Sequence, residues 1–140
     1  MKTFKTIIII SLLSSLLLAA CSTKAAPVSV LKISGGKAEV NLSADDIKGK
    51  TQVEAEYTGK DGTVTKTTGT ALKLLLTDIT DANTLTFVAK DGYSAEMSGA
   101  DLLKCETCIV AFQDGGGLKT VMPGSTGKLQ VKDLVEIKIK

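Results

Sequence analysis

The sequence contains no histidine and no arginine among its 140 residues, so its 17 basic side chains are all lysines. Histidine is the usual general base near neutral pH and supplies the imidazole ligand of many metal sites. Without arginine, no planar guanidinium can clamp a phosphate or a carboxylate at two points, and lysine attracts such groups only as a point charge. These absences count against histidine-based catalysis and against arginine-based phosphate recognition.

Aromatic side chains are also scarce and make up 4% of the chain. Lys2 and Lys5 lie in an N-terminal leader, and the remaining lysines equal the 15 acidic residues in number. No basic patch is evident, and the aromatic residues are not interleaved with positive charge. We therefore expect no binding to nucleic acid.

The N-terminus has the pattern of a secretory leader. Lys2 and Lys5 precede an apolar run at 7–20, which is shorter than the roughly 20 residues of a membrane span and ends in small residues. The last four positions, Leu18-Ala19-Ala20-Cys21, resemble the lipobox of bacterial lipoproteins, in which the cysteine is acylated and becomes the N-terminus. The alternative is an ordinary signal peptide with a chance cysteine at the cleavage site.

The lipobox resemblance implies both a location and a division of the chain. Residues 1–20 would be the signal peptide, 21–27 the lipidated N-terminus with a short tether, and 28–140 one domain. Lipid on Cys21 would hold the domain on the extracytoplasmic side of a membrane in the bacterial cell envelope, since each buried methylene contributes about 0.8 kcal/mol. The expected partners are this membrane and a protein at the cell envelope.

Local patterns after the leader predict short strands and short helices. Period-two alternation of apolar residues indicates strands, and Asp-Gly or Gly-Gly pairs indicate turns. Ser43 and Ser98, each with aspartate three residues later, are typical helix N-caps. Strands are predicted at 28–33, 38–42, 52–58, 64–67, 84–90, 93–97, 108–113, 118–122 and 135–140, with helices at 44–48, 70–77 and 99–104.

Two predicted strands carry a clear inward face, and two segments of the chain resemble each other. Ala38, Val40 and Leu42 alternate with polar residues in one strand, and Val135, Ile137 and Ile139 do so in the last. Lys60-Asp61-Gly62 and Lys90-Asp91-Gly92 lie 30 residues apart, and each hairpin is followed by a predicted hydroxyl cap, Thr68 or Ser98, a glycine and a short leucine helix. We interpret the two copies as one hairpin-and-helix unit used twice.

Five segments of the chain, in their order, resemble the molybdopterin-binding domain of sulfite-oxidase-type oxidoreductases. The resemblance extends over about 31–139. It implies an α+β fold with mixed sheets, short helices and a β-grasp-like part. The segments are 69–76 (GTALKLLL), 87–97 with its Asp-Gly-Tyr, 111–118 (AFQDGGGL), 121–124 (VMPG) and 131–137 (VKDLVEI).

The same resemblance indicates where a cofactor would lie and which of its ligands are missing. Family enzymes hold molybdenum through a cysteine thiolate, and the comparable place here, near Tyr57, has no cysteine. Family enzymes also use arginine and histidine, which this chain lacks. Tyr57, Tyr93 and Asp91 are the candidate cofactor-binding residues. Molybdopterin is implied by the resemblance alone, and we expect no cofactor, no metal ligand and no catalytic residue.

Each of these candidates also has a structural interpretation. Tyr93 follows an Asp-Gly turn and would either present its ring to a ligand or pack on a sheet with its hydroxyl at the rim. Asp91 would serve the turn itself. Glu54 and Glu56 share one face of a strand, either as a catalytic pair or as a solvated surface.

Cys105-Glu106-Thr107-Cys108 is the one constellation that could carry redox chemistry. Outside the cytoplasm, two cysteines this close should form a disulfide. The bond would be either a redox-active CxxC, which needs exposure and a lowered thiol pKa, or a structural staple between a short helix and a strand. Two thiolates supply only half of a zinc ligand set.

Two glycine-rich loops are weaker candidates for anion binding. Asp114-Gly115-Gly116-Gly117 could offer backbone N–H groups to an anion or could simply connect a hairpin. The segment 124–128 (GSTGK) lacks the spacing of a phosphate-binding loop, since two residues rather than four separate its glycines.

The sequence thus predicts a membrane-anchored extracytoplasmic lipoprotein whose domain is a non-catalytic binding or accessory module. Two enzymatic alternatives remain open. One is a molybdenum-cofactor-dependent oxidoreductase without the usual thiolate, and the other is a thiol–disulfide redox protein that uses Cys105 and Cys108.

Overall fold

The computed structural model describes residues 29–59, 61–125 and 127–140. The predicted signal peptide, the predicted lipidation site Cys21 and the predicted tether lie outside the described residues, as do Lys60 and Thr126. In the part described, no helix is both long and apolar enough to cross a membrane.

A five-stranded mixed sheet forms one side of the domain. Its strand order is β2-β1-β9-β5-β6, in which β1 and β9 pair in parallel and the other neighbours are antiparallel. The last strand of the chain therefore lies at the centre of this sheet. The strands are β1 (Ser29–Ser34), β2 (Val40–Ser43), β5 (Thr84–Ala89), β6 (Ser94–Ser98) and β9 (Leu134–Ile139).

A four-stranded antiparallel sheet, in the order β3-β4-β7-β8, forms the other side. Its two outer strands, β3 and β8, also contact each other, so the sheet is strongly curled. Inside the curl lies a small cluster of Ala55, Ile109, Ala111 and Val121. The strands are β3 (Gln52–Thr58), β4 (Val64–Ala71), β7 (Ile109–Phe112) and β8 (Leu118–Val121).

Three short helices connect the strands of the described chain: α1 (Ala44–Lys48), α2 (Leu72–Leu75) and α3 (Gly99–Lys104). The N-caps Ser43 and Ser98 are confirmed, because each hydroxyl accepts the backbone N–H three residues later. Asp46 completes a capping box by accepting from the Ser43 backbone N–H at 2.8 Å. A 3-10 turn at Gly127–Leu129 precedes β9.

The main core lies between the two sheets and is closed by the helices. Phe87 of β5 and Ile137 of β9 are completely buried there, together with one leucine from each of α2 and α3. Leu72 and Leu75 of α2, together with Leu76 directly after it, are all buried. The expected α+β class, with mixed sheets and short helices, is confirmed as well.

Two predicted inward faces are partly wrong. Val40 is 42% exposed because β2 is an outer strand with little packed against it. Val135 is 39% exposed because the pairing of β9 with β5 shifts register there, so Leu134 rather than Val135 opposes Ala89. A one-residue bulge reverses the side-chain alternation, which is why Leu134 points to the core instead.

The two hairpin-and-helix copies are built differently at their helices. Both turns place glycine at positive φ, and Asp61 and Asp91 each accept a backbone N–H two residues on. In the second copy Ser98 caps α3, but in the first the N-cap is Ala71, without a side-chain hydrogen bond. The predicted hydroxyl cap is wrong there because β4 continues to Ala71, which pairs with Ile109 of β7.

Candidate functional site

Tyr57 lines a cleft at the place where the curled sheet almost closes. It lies near the end of β3 and packs against the small cluster inside the curl. One part of the cleft, of about 240 Å³, lies between Tyr57 and the segment 122–130. A smaller part, of about 40 Å³, lies between Tyr57 and β8. Tyr57 and Gln130 line both parts, and we call the whole the Tyr57 cleft.

Two lysines give this cleft its charge. Lys119 and Lys132 both line the smaller part, and their backbones form an antiparallel bridge. Side chains of directly opposed residues in an antiparallel pair lie on the same face, so the two lysine side chains leave the bridge on one side. Neither lysine forms an ion pair with any described residue, and no carboxylate lines the cleft.

The aromatic ring adds a further feature to the lysine pair. The Lys119 Nζ atom lies 5.6 Å from the centre of the Tyr57 ring, within the range of a cation–π contact. The Tyr57 hydroxyl has no hydrogen-bond partner among the described residues. The cleft therefore presents two cations, an aromatic face and a free hydroxyl, which together suit an anionic ligand.

The wall opposite Tyr57 is held by side-chain hydrogen bonds to the backbone. The Gln130 side chain accepts from the Met122 N–H at 3.1 Å and donates to the Met122 carbonyl at 2.8 Å. Thr120, which is 1% exposed, donates to the Leu129 carbonyl at 2.6 Å and accepts from the Val131 N–H at 2.8 Å. The Gln130 bonds join the two ends of the segment 122–130 to each other, and the Thr120 bonds hold its C-terminal end on β8, so that the cleft is preorganised.

Tyr93 and Asp91, the other predicted cofactor-binding residues, do not line the Tyr57 cleft. Tyr93 is 45% exposed, and its hydroxyl donates to the Lys128 carbonyl at 2.9 Å, so it supports the 3-10 turn that borders the cleft. Asp91 accepts from the Tyr93 N–H at 2.9 Å and thereby stabilises the hairpin turn. Of the three candidates, the structure places only Tyr57 in the cleft.

The Cys105–Cys108 disulfide forms, with a Cα–Cα distance of 5.5 Å. Cys105 is the C-cap of α3 and is partly exposed, whereas Cys108 is buried in the main core. The bond borders a surface pocket of about 470 Å³ that also contains Pro123. Pro123 is distant from the pair in sequence, so this contact could not be read from the local spacing.

Glu54 and Glu56 lie on an exposed surface of β3, which agrees with the interpretation of this pair as a solvated strand face. Lys66 bridges them, at 3.4 Å to Glu54 and 2.8 Å to Glu56. The hydrogen bond that Lys66 donates to Glu56 raises the pKa of Lys66, with further contributions from the charges of both glutamates. One lysine thus partly neutralises the two glutamates on the surface of the β3–β4 hairpin, and neither glutamate lines the Tyr57 cleft.

Sequence reasoning did not identify Lys119, Lys132 and Gln130 as site residues. Lys119 belongs to a short strand, and Lys132 lies outside the named strands, so no periodic pattern links them. Their pairing depends on the chain returning across β8 after the 3-10 turn. The only local signal is that each lysine interrupts an apolar stretch.

Neither a family model nor a curated protein sequence matches the chain. Among solved structures, the chain is similar to the sulfane dehydrogenase SoxCD from Paracoccus pantotrophus. The TM-score is 0.63 at 15% sequence identity, over 78% of this chain and 37% of the SoxCD chain. This similarity supports the fold of the distant resemblance stated above, and this chain spans well under half the length of SoxCD.

The residues of the Tyr57 cleft do not fit a metal held by a thiolate. The two thiols that the structure describes are joined in the disulfide, and the cleft itself contains lysine, glutamine, hydroxyl and backbone groups. Among the described residues, no three or more histidine, cysteine, aspartate or glutamate side chains are placed to hold a metal ion. The donor set present suits an anion rather than a metal.

Proposed function

We propose that this chain is a lipid-anchored extracytoplasmic binding module whose Tyr57 cleft takes an anionic ligand, without catalysis of its own. The lipobox-like segment that ends at Cys21 supports the anchoring part of the proposal. The fold supports the binding part, because it resembles that of a cofactor-binding domain. The charge of the cleft supports the class of ligand.

The observation that carries the proposal is the bridged pair Lys119 and Lys132. Like charges on opposed residues of an antiparallel pair are destabilising. A chain whose net charge is close to zero offers acidic side chains for neutralisation, yet none of the described ones pairs with either lysine. An anion from solution would relieve the repulsion and contact both ammonium groups.

The absence of catalysis is inferred from the chemistry of the lining groups. Lysine and tyrosine can transfer protons in other enzymes, but here we assign them to ligand binding, because the described residues that line the cleft include no carboxylate, thiol or imidazole to work with them. A rigid wall built from the Gln130 and Thr120 hydrogen bonds suits recognition.

The lysine pair makes a two-sided prediction. Lys119→Gln and Lys132→Gln should each weaken binding of inorganic phosphate about tenfold, since one charged contact contributes on the order of 1.4 kcal/mol. Lys132→Gln should leave the ligand-free protein as stable as the parent, or up to about 1 kcal/mol more stable, because it removes a like-charge contact. Calorimetric titration of the full chain at low salt measures affinity, and urea unfolding measures stability.

Lys50→Gln is the matched control, because Lys50 is exposed and forms no ion pair among the described residues. It should change neither phosphate binding nor stability. Loss of stability in the Lys132 variant, or phosphate binding that is equal in all four proteins, would contradict the proposed site.

A molybdenum-dependent oxidoreductase is the second candidate, and the similarity in fold to SoxCD favours it. The location of Tyr57 in a cleft also fits the place where the family resemblance puts a cofactor. Metal analysis of protein purified from a cofactor-competent host separates the two functions. We expect no stoichiometric molybdenum, and its presence would replace the binding module with the enzyme.

A further inference from the structure

A second cavity, of about 400 Å³, shares no lining residue with the Tyr57 cleft. It lies where the start of β1, the β5–β6 turn, the β7–β8 turn and the start of β9 meet. We call it the Gly115 pocket, after the glycine loop at one side. Its size is in the range of pockets that enclose small organic ligands.

The Gly115 pocket contains one cation and one anion that do not neutralise each other. Lys90 and Asp133 both line it, yet Lys90 forms no ion pair with any described residue. The Lys90 N–H donates to the Asp133 carbonyl at 2.8 Å, so the two backbones are joined while the charged groups stay apart. One Asp133 carboxylate oxygen accepts from the Gln113 side chain at 3.0 Å.

The loop Gly115–Gly117 adds backbone donors beside these charges. Its three glycines have φ of 85°, 96° and 86°, values that L side chains rarely adopt. The Gly116 N–H donates to the Gln113 carbonyl at 3.1 Å. The N–H groups of Gly115 and Gly117 have no hydrogen-bond partner among the described residues, and the space around Gly115 and Gly116 is open.

The remaining walls of the pocket are apolar. Val30, Phe112 and the exposed Val135 line it, and Lys48 lies over the Phe112 ring at 4.6 Å from the ring centre. Lys48 itself does not line the pocket, and it contacts the Phe112 ring from elsewhere. A pocket with apolar walls and a few polar groups of both signs favours a ligand with an apolar body and both charges.

We propose that the Gly115 pocket binds an apolar α-amino acid as its zwitterion. The ligand carboxylate would lie between the Lys90 ammonium and the free N–H groups of Gly115 and Gly117. The ligand ammonium would face the Asp133 carboxylate, and the apolar side chain would pack on Phe112 and Val30. A ligand with only one charge leaves either Lys90 or Asp133 uncompensated.

Three isosteric probes test this assignment on the full-length, ¹⁵N-labelled protein. Leucine carries both charges, isocaproate lacks the ammonium, and isoamylamine lacks the carboxylate. Leucine should shift the amide signals of Gly115 and Gly117 in a saturable way, and each singly charged probe should bind about tenfold or more weakly. Isocaproate binding as tightly as leucine would overturn the zwitterion assignment.

Two variants and a control locate the charges. Lys90→Met and Asp133→Asn should each weaken leucine binding about tenfold, whereas Lys50→Met should leave it unchanged. Asparagine tolerates the φ of 50° found at Asp133, and its side-chain oxygen can still accept from Gln113. Leucine binding by both variants that is as tight as in the parent protein, or no saturable shift with leucine, valine, methionine or phenylalanine, would overturn the proposal.

Discussion

At the residue scale, Gly99 lies where the backbone at the start of α3 approaches another loop so closely that only a glycine fits. A Cβ at this position would lie 2.0 Å from the Thr80 carbonyl oxygen, and the Gly99 N–H donates to the Asn83 carbonyl at 2.8 Å. The start of α3 is therefore pressed against the loop before β5. No side chain fits there unless that backbone moves.

Gly99→Ala should destabilise the protein by about 1–3 kcal/mol, the cost of forcing extra volume into a packed site. Gly127→Ala is the control, because no heavy atom lies within 4 Å of its Cβ position and its φ is not positive. The control should change the free energy of unfolding by less than about 0.5 kcal/mol. Urea unfolding measures both, and equal effects would refute the close approach.

The capping box of α1 makes stability depend on acid pH. The Ser43 hydroxyl, at 2.6 Å, and then the Ser43 backbone N–H hydrogen-bond to Asp46 and lower the pKa of its carboxyl below 3.8. Because the folded pKa is lowered, this contribution to stability is complete above the unfolded pKa. It is lost as the pH falls from about 3.8 through the folded value.

Asp46→Asn should therefore flatten the loss of stability in this acid range, which a series of urea midpoints against pH measures. Asp45→Asn removes the same charge from the same helical turn, but the Asp45 carboxylate accepts no hydrogen bond among the described residues. If both variants have the same pH profile, the capping box is not the cause.

At the element scale, the disulfide joins the end of α3 to β7. Cys105 is at the C-terminal end of the helix, where the carbonyl groups carry partial negative charge and disfavour a thiolate. Redox-active CxxC pairs have a lowered thiol pKa, so this position favours the structural interpretation. The burial of Cys108 agrees with it.

We expect the reduction potential of this pair to lie below about −300 mV, the range of structural disulfides. The double variant Cys105→Ser, Cys108→Ala should lose about 2 kcal/mol of stability, since the bond closes a short loop. Equilibration with thiol redox buffers and urea unfolding measure the two quantities. A reduction potential near that of glutathione would instead support thiol–disulfide exchange as the function.

Elements were predicted well where local patterns decide them and poorly where a neighbouring strand does. The N-caps Ser43 and Ser98 were correct because a hydroxyl and an aspartate three residues later form a cap without outside help. The inward face of β9 was partly wrong because its bulge arises from pairing with β5. In the same way, the predicted start of α2 at residue 70 was wrong, because β4 continues to Ala71 by pairing with β7.

At the scale of the whole molecule, the curl of the four-stranded sheet creates the candidate site. It brings β3 next to β8, which places Tyr57 beside Lys119 and Gln130. The return of the chain after the 3-10 turn then adds Lys132. A flat sheet with the same strands would hold these residues on separate edges.

The anchoring of the whole molecule is a separate prediction, made from the sequence. Cys21→Ser should abolish lipid attachment and yield either released or unprocessed protein, whereas Cys105→Ser, with its acyl acceptor intact, should stay on the membrane. Membrane fractionation with labelled fatty acid distinguishes these outcomes. A Cys21→Ser protein that still carries lipid would contradict the lipobox.

The sequence by itself determined the helices capped by Ser43 and Ser98, the hairpin turns and the proximity of Cys105 to Cys108, because each depends on residues a few positions apart. The α+β class came from the resemblance of five segments to a known family. Only the tertiary structure decided which faces are buried at β2 and β9, and which of Tyr57, Tyr93 and Asp91 lines a cleft. The tertiary structure alone also shows that Lys119 lies opposite Lys132 in a backbone bridge and that Lys90 and Asp133 line the same pocket. Those arrangements depend on strand pairing over long sequence separations, where register rather than local composition sets each neighbour.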